Sequence, residues 1–213
     1  MTARILIWLA LGTGVLFAQR QEPGFFTWHA FEYTALDNGQ RDLTFQFHFR
    51  THDNFRVLSL VRGSVFASRQ LPRRWTWTGG YLAQNQETSA DSEWARQQRV
   101  FTSISRPFRT ARLRHNPRFQ YDYLFWMPTP SYGRYRFAWQ TEWVARVRPY
   151  AGAEEFIEHK GVQRFRPRAG LRFSPSRYVD ADIVYMYDRI YLRGLKNRHI
   201  IQTTINFHRP SRD

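Results

Sequence analysis

One ten-residue segment, 164–173 (RFRPRAGLRF), has arginine at four of its five even positions and an apolar residue at every odd one. Side chains alternate between the two faces of a strand, so one face of this segment requires an apolar medium while guanidinium groups project from the other. The same alternation recurs at 43–50, 119–125 and 135–143. These segments approach the roughly ten residues with which a tilted strand crosses a bilayer. The pattern predicts an all-β protein, an up-and-down antiparallel transmembrane β-barrel.

The aromatic content supports a membrane barrel. Phe, Tyr and Trp make up 17% of the 213 residues. A membrane barrel presents an apolar band bounded by aromatic girdles, whereas a soluble domain rarely exposes so many rings. Seven tryptophans lie mostly near the ends of predicted strands, where such girdles are expected: Trp28, Trp75, Trp77, Trp94, Trp126, Trp139 and Trp143.

The N-terminus predicts export. A short basic head precedes an apolar run, 5–17, and the small residue Ala18. The run is short for a spanning helix and is typical of a secretory signal peptide. We expect residues 1–18 to be the signal peptide, 19–213 to be a single barrel domain, and the location to be the bacterial outer membrane. The absence of cysteine excludes disulfides and thiol catalysis.

The positive charge is spread along the chain. The formal net charge is +15, and all basic residues except Lys160 and Lys196 are arginines. A basic chain suggests nucleic acid, but export argues against that partner. The expected partners are outer-membrane lipid and lipopolysaccharide, because arginine pairs well with phosphate. The barrel-assembly machinery is a further expected partner, during insertion of the barrel. The alternative explanation for the predominance of arginine over lysine is a GC-rich genome, whose codons favour arginine.

The spacing of alternating segments and turn residues predicts eleven strands: 27–36, 41–52, 55–68, 74–84, 94–105, 110–126, 134–146, 149–158, 162–173, 178–188 and 198–207. Bacterial barrels have an even number of strands and both chain ends in the periplasm. Ten wall strands result if 27–36 is a lead-in strap, and twelve result if Pro117 divides 110–126. Pro167 predicts a bulge or a rim position. The longest connections, near 85–93, 127–133 and 189–197, are expected outside the cell.

Turn residues separate the predicted strands. Asp-Asn-Gly at 37–39, Asp-Asn at 53–54, Lys-Gly at 160–161 and Ser-Pro-Ser at 174–176 favour tight reversals. This regular spacing is typical of a meander.

Several of these segments resemble the DUF2490 family of exported bacterial proteins. Segment 93–98 (EWARQQ) is similar to that family's acidic, Arg and Gln-Gln strand, 150–156 to its Glu-then-aromatic strand, and 184–187 to its Tyr-Met run. Further matching positions are His115, Arg118, Gln163, Arg166, Gly170 and Leu171. Gln120 and Asp122 depart from the family's pattern, so the resemblance does not by itself imply an ion pair of the family's kind at these two positions. The resemblance implies an outer-membrane barrel and no particular reaction.

The alternation also predicts which charges face the lumen. Phe165, Leu171 and Tyr185 are among the residues expected to face lipid, because a charge there would cost about 2–4 kcal/mol near the midplane. The predicted lumen charge network comprises Arg118, Arg134, Arg136, Glu142, Glu155, Arg164, Arg166, Arg168, Arg172, Asp180 and Asp182. Such a network either plugs and stiffens the barrel or, with its surplus of arginine, offers a path for small anions.

Two other classes of function stay open. A soluble periplasmic barrel would hold lipid inside, with polar groups outward and apolar groups inward. An outer-membrane lipid hydrolase would need a serine activated by histidine and an acid, and no local arrangement singles out a nucleophile. We therefore predict no enzyme, no cofactor and no metal.

Overall fold

The computed structural model describes residues 25–37, 39–52, 57–87, 94–127, 130–159, 161–191 and 196–208. The predicted signal peptide, 1–18, lies outside these ranges. The described residues are almost entirely β-structure, with one short 3-10 turn at Pro72–Arg74. None of their helical structure is long and apolar enough to cross a membrane.

Twelve strands follow one another along the chain. They are β1 (Phe25–Asp37), β2 (Arg41–His52), β3 (Val57–Leu71), β4 (Trp75–Glu87), β5 (Trp94–Ser105), β6 (Phe108–Thr110), β7 (Leu113–Met127), β8 (Tyr132–Trp143), β9 (Val147–Glu158), β10 (Gly161–Ser176), β11 (Val179–Ile190) and β12 (Lys196–His208). Long strands form because β-branched and aromatic residues alternate with polar ones, which suits a pleated wall with two different faces.

The wall is a closed barrel of eleven strands. Each strand pairs with its neighbour in the chain, except that β5 pairs with β7 and the three-residue β6 only adds a hairpin at one end of β7. Closure is made by β1 and β12, which run parallel, with Phe25 beside His199 and Thr34 beside His208. Closure satisfies the backbone groups that an open sheet edge would leave unpaired.

The prediction of ten or twelve wall strands is wrong. Segment 27–36 is a full wall strand, β1, and not a strap. An odd meander places its first and last strands in the same direction, so the barrel closes through one parallel pair. The even count of known bacterial barrels is a regularity of topology, and nothing in strand pairing forbids an odd number.

The two ends of the barrel differ. We call the end at which β1 begins the N-terminal rim and the end at which β12 finishes the C-terminal rim. The three connections predicted to be long join strand ends at the N-terminal rim, between Glu87 and Trp94, Met127 and Tyr132, and Ile190 and Lys196. The C-terminal rim carries shorter turns and one longer connection, from Ser105 to Leu113, which contains β6. Because β1 and β12 are parallel, the first and last described residues lie at opposite rims.

The two prolines within strands are accommodated without the predicted interruptions. Pro117 pairs with Trp139 of β8, and its carbonyl accepts a hydrogen bond from the amide of Arg106 at 3.3 Å. It lies where the partner of β7 changes from β5 to β6, and the ladder of β7 tolerates a missing N–H at such a break. Pro167 lies within β10 between Phe165 and Arg168, and the register with β11 is the same on both sides. The bulge of β10 falls instead between 162 and 164.

The predicted turns are partly confirmed. Gly39 adopts φ +75° and donates its amide to Asp37 Oδ1 at 2.9 Å, and Gly161 adopts φ +90°. These positive φ angles favour glycine. The Ser-Pro-Ser segment, in contrast, completes β10, and the reversal follows at 177–178. Segment 53–54 lies outside the described residues.

The outer wall is apolar and aromatic. On β10 and β11, Phe165, Leu171 and Tyr185 point outward and keep 38%, 47% and 45% of their surface exposed. Other outward rings with similar exposure are Phe31, Tyr33, Phe45, Phe47, Trp77, Phe119, Tyr135, Phe137 and Trp139. The predicted assignment of faces along 164–173 is therefore confirmed.

The core lies inside the barrel. Trp28, Tyr150, Val184, Met186 and Ile200 form a buried cluster on the inner faces of β1, β9, β11 and β12. Polar side chains line the rest of the interior, and Asp122, Asp188 and His48 are among the most deeply buried side chains. Apolar and charged side chains therefore share the interior of the barrel.

The two faces predict opposite responses to a change of charge. Leu171→Arg would place a charge on the apolar wall and should destabilise membrane insertion by about 2–4 kcal/mol. Arg168→Leu removes an inward charge and should assemble normally. Recovery of folded protein in isolated outer membranes measures both, and equal recovery of the two variants would contradict the assignment of faces.

Candidate functional site in the barrel lumen

Asp122 of β7 is the centre of the charge network. Its carboxylate is completely buried and accepts hydrogen bonds from Arg134 at 2.8 and 3.2 Å, from Gln120 at 2.6 Å and from Arg99 at 3.4 Å. Arg136 approaches the same carboxylate at 3.7 Å. A buried carboxylate is stable only when charge and hydrogen bonds compensate its lost hydration, and three strands supply these donors.

Glu154 of β9 is the second buried carboxylate. It accepts hydrogen bonds from Arg118 at 3.1 Å and from Arg136 Nε at 3.1 Å, and its other oxygen lies 3.6 Å from Arg166. Because Arg136 contacts both Asp122 and Glu154, it connects the two carboxylates across β8 and β9. Arg166 continues the connection to β10.

Asp188 of β11 is the third. It lies 3.3 Å from Arg166 and 3.4 Å from Arg164. The buried ring of Phe156 lies among the arginines of these pairs, with four guanidinium carbons 4.9–5.3 Å from its centroid, those of Arg134, Arg136, Arg164 and Arg166. An aromatic face attracts cations, so the ring helps to hold several like charges together.

The charges do not balance along the barrel. Around Asp122, Glu154 and Asp188, six arginines share three carboxylates: Arg99, Arg118, Arg134, Arg136, Arg164 and Arg166. Near the C-terminal rim the ratio reverses, since two arginines, Arg148 and Arg172, contact three carboxylates, Glu142, Asp180 and Asp182. Among these ion pairs, arginine is therefore in surplus in the central cluster and not in the cluster near the C-terminal rim.

A glycine shapes the C-terminal cluster. Gly170 faces inward between Arg168 and Arg172, and a Cβ there would lie 2.7 Å from the ring of Tyr150. The missing side chain lets Tyr150 lie across β10 and donate its hydroxyl to Asp182 at 2.7 Å. Arg172 donates to the same aspartate at 2.9 Å. This close approach explains why the arginine alternation is interrupted at 170.

Two further inward arginines have no carboxylate partner among the described residues. Arg62 of β3 donates to Gln46 Oε1 at 3.2 Å and contacts the buried His48 ring. Arg50 of β2 lies over the Trp28 ring, 4.3 Å from its centroid, and its buried Nε has no hydrogen-bond partner within the described part of the chain. Both add to the positive charge of the interior.

The structure brings together most residues of the predicted network. Nine of them take part in ion pairs of the central or C-terminal cluster: Arg118, Arg134, Arg136, Glu142, Arg164, Arg166, Arg172, Asp180 and Asp182. Asp180 lies 3.5 Å from Arg148 at the C-terminal rim. Arg168 faces inward opposite Gly152 and Met186, but its buried Nε has no hydrogen-bond partner among the described residues.

The prediction for Glu155 is wrong. Glu155 is in register with Phe137 and Phe165, which both point outward, whereas Glu154 is in register with Arg166. Adjacent residues of a strand face opposite sides, so only one of two consecutive glutamates can enter the lumen. Ala151, Ala153 and Glu155 share the outward face of β9. The two small apolar residues on that face are the signal that would have placed Glu154 inside.

Sequence reasoning also missed Asp122, Asp188, Arg99 and Arg50. Asp122 stands in the clear alternation of 119–125, opposite outward Phe119 and Tyr123, so its inward position could have been predicted from parity. Its partners could not, because Arg99 and Arg134 become neighbours only through the register of β5, β7 and β8. Trp28, expected in an interfacial girdle, lies inside and is 7% exposed.

The histidines do not form a catalytic or metal-binding group in the described ranges. No cluster of three or more potential metal-ligating His, Asp or Glu side chains occurs there. On the outer wall, His29 contacts the hydroxyl of Thr203 at 2.8 Å and His115 that of Thr141 at 3.0 Å. Arginines are the most numerous charged side chains in the described lumen, and arginine binds anions.

Comparisons with family models, with curated proteins and with solved structures yielded no match. A function is therefore inferred from the geometry of the lumen.

Asp122 predicts where the barrel is most sensitive to a lost charge. Asp122→Asn would leave three buried arginines without their shared carboxylate and should lower the free energy of unfolding by about 3–5 kcal/mol. Asp180→Asn is the matched control, since the Asp180 side chain is 33% exposed, and should cost less than about 1 kcal/mol. Urea titration of the detergent-solubilised barrel, followed by tryptophan fluorescence, measures both. Similar losses for the two variants would show that the network does not stabilise the wall.

Proposed function

We propose that the chain is a bacterial outer-membrane β-barrel protein, exported by its N-terminal signal peptide, whose arginine-rich lumen admits small anions. It acts without a cofactor and is not an enzyme. Its partners are outer-membrane lipid and lipopolysaccharide on the outer wall and, during insertion, the barrel-assembly machinery. The resemblance of its motif order to the DUF2490 family supports the location.

The surplus of arginine inside the wall carries the proposal of anion entry. Six arginines share three carboxylates in the central cluster, and Arg50 and Arg62 add charge without a carboxylate among the described residues. Unpaired buried cations are costly unless water or anions compensate them. A lumen of this composition favours anions and repels cations.

A purely structural barrel is the second candidate. Asp122 is 0% exposed, Asp188 1% and Glu154 3%, so the middle of the lumen is filled by side chains. Such a network would stiffen the wall and close the bore. This observation favours an occluded barrel in which anions enter from a rim and do not pass freely.

The remaining alternatives have less support. A soluble lipid-binding barrel needs an apolar interior and a polar exterior, and the described wall has the reverse arrangement. A lipid hydrolase needs a serine, a histidine and an acid in contact. The outer-wall contacts of His29 and His115 with threonines give that arrangement no support.

Ion selectivity tests the proposed function. In planar bilayers with a potassium chloride gradient, the purified protein should show a reversal potential toward the chloride equilibrium potential. Arg62→Gln removes an inward charge that has no carboxylate partner among the described residues, so it should weaken this anion preference. Arg69→Gln, which removes an exposed charge from the outer wall, should leave it unchanged.

A preference for potassium would contradict the proposal. A barrel that inserts but carries no current would instead favour the structural candidate.

A further inference from the structure

We infer that the half of the lumen toward the N-terminal rim holds a binding site for a small, water-soluble, multivalent oxyanion of the phosphate type. The site is formed by three inward arginines, Arg50, Arg166 and Arg198, around the rings of Phe26 and Trp28, with a fourth, Arg164, joined to Arg166 through Asp188. The inference rests on the proposed function, because it gives the anions admitted by the lumen a place to bind and a chemical class.

The two rings bring the arginines together. Arg50 and Arg198 lie against the same ring of Phe26, with guanidinium carbons 6.0 and 5.2 Å from its centroid. Arg50 and Arg166 lie against Trp28, at 4.3 and 5.1 Å. The guanidinium groups therefore come from β2, β10 and β12 and converge on one side of the lumen, held by the aromatic faces of β1.

The cluster has a large uncompensated charge. Asp188 contacts Arg164 and Arg166, and Glu154 lies 3.6 Å from Arg166; these two are the carboxylates that the described residues place in contact with the four arginines. With both carboxylates ionised, the group has a net charge of two positive units, and Glu154 is shared with Arg118 and Arg136. Like charges in a partly desolvated space repel strongly, so the arrangement is stable when an anion occupies it.

Donors remain available for a ligand. The buried Nε atoms of Arg50 and Arg166 have no hydrogen-bond partner within the described ranges. The Arg166 side chain is 9% exposed, whereas that of Arg164, nearer the rim, is 29% exposed. The site is thus built on buried donors and stays in contact with solvent.

The geometry indicates the class of ligand. Guanidinium groups match the planar and tetrahedral oxygens of carboxylates and phosphates, and charge-assisted hydrogen bonds are the strongest of their kind. Two surplus charges, or more where Glu154 is neutralised by its other arginines, favour an anion with two or more negative charges over a monovalent one. The inward orientation of all four arginines favours a soluble anion over a lipid headgroup, which would meet the outer wall.

Calorimetric titration of the folded barrel in detergent with inorganic phosphate, at constant ionic strength, tests the site. Phosphate should bind more tightly than nitrate. Arg50→Gln should weaken phosphate binding about tenfold or more, the effect of one lost charge-assisted hydrogen bond. Arg189→Gln is the matched control, because Arg189 lies outward on the strand that carries Asp188, and it should bind phosphate as the wild type does.

A gain of affinity separates the site from a folding defect. Asp188→Asn removes the carboxylate that contacts both Arg164 and Arg166 and should tighten phosphate binding, by on the order of tenfold. Heat-dependent mobility on a gel confirms that each variant is folded.

Phosphate binding no tighter than that of nitrate, or equal binding by the Arg50→Gln and Arg189→Gln variants, would overturn the site. Anion-selective current without phosphate binding would overturn the site and leave the proposed function standing. Phosphate binding that Arg50→Gln weakens, in a barrel that carries no current, would support the site and contradict anion passage.

Discussion

Compensation of buried charge inside the wall is the constraint on which the rest of the structure depends. The apolar outer face of β10 forces every second residue inward, and four of those residues are arginines. Asp122, Glu154 and Asp188 reach this interior from β7, β9 and β11, and Arg136 and Arg166 join them into one network. Since a buried charge without a partner costs several kcal/mol, the network specifies which strands must be neighbours and in what register.

The ion pairs of the lumen are distributed unevenly. Arginines exceed carboxylates in the central cluster, whereas the ion-pair cluster near the C-terminal rim joins two arginines to three carboxylates. Under the proposed function, an anion that enters from the N-terminal rim meets the arginine surplus first and then a belt of buried side chains. This order of environments supports a receptacle for anions over a uniform pore.

Periodicity made the wall and its two faces predictable, because a strand with an apolar face must alternate. It also placed Arg164, Arg166 and Arg172 inside. It also located eleven strand segments, each of which corresponds to one wall strand. That all eleven belong to the wall was not predictable, since the parallel pairing of β1 with β12 leaves no local signal in either strand. Consecutive glutamates made Glu154 and Glu155 ambiguous, and only the small outward residues of β9 resolve them. The partners of Asp122 depend on register between strands that are distant in sequence, which no single segment encodes.

The proposed function requires that the aromatic outer wall faces lipid. Gel mobility of the protein from isolated outer membranes tests this requirement most directly. Folded membrane barrels resist the gel detergent and change apparent mass only when heated. We expect the protein in the outer-membrane fraction, and we expect its mobility on the gel to shift on boiling. Protein in the soluble periplasmic fraction, with no heat-dependent shift, would contradict it.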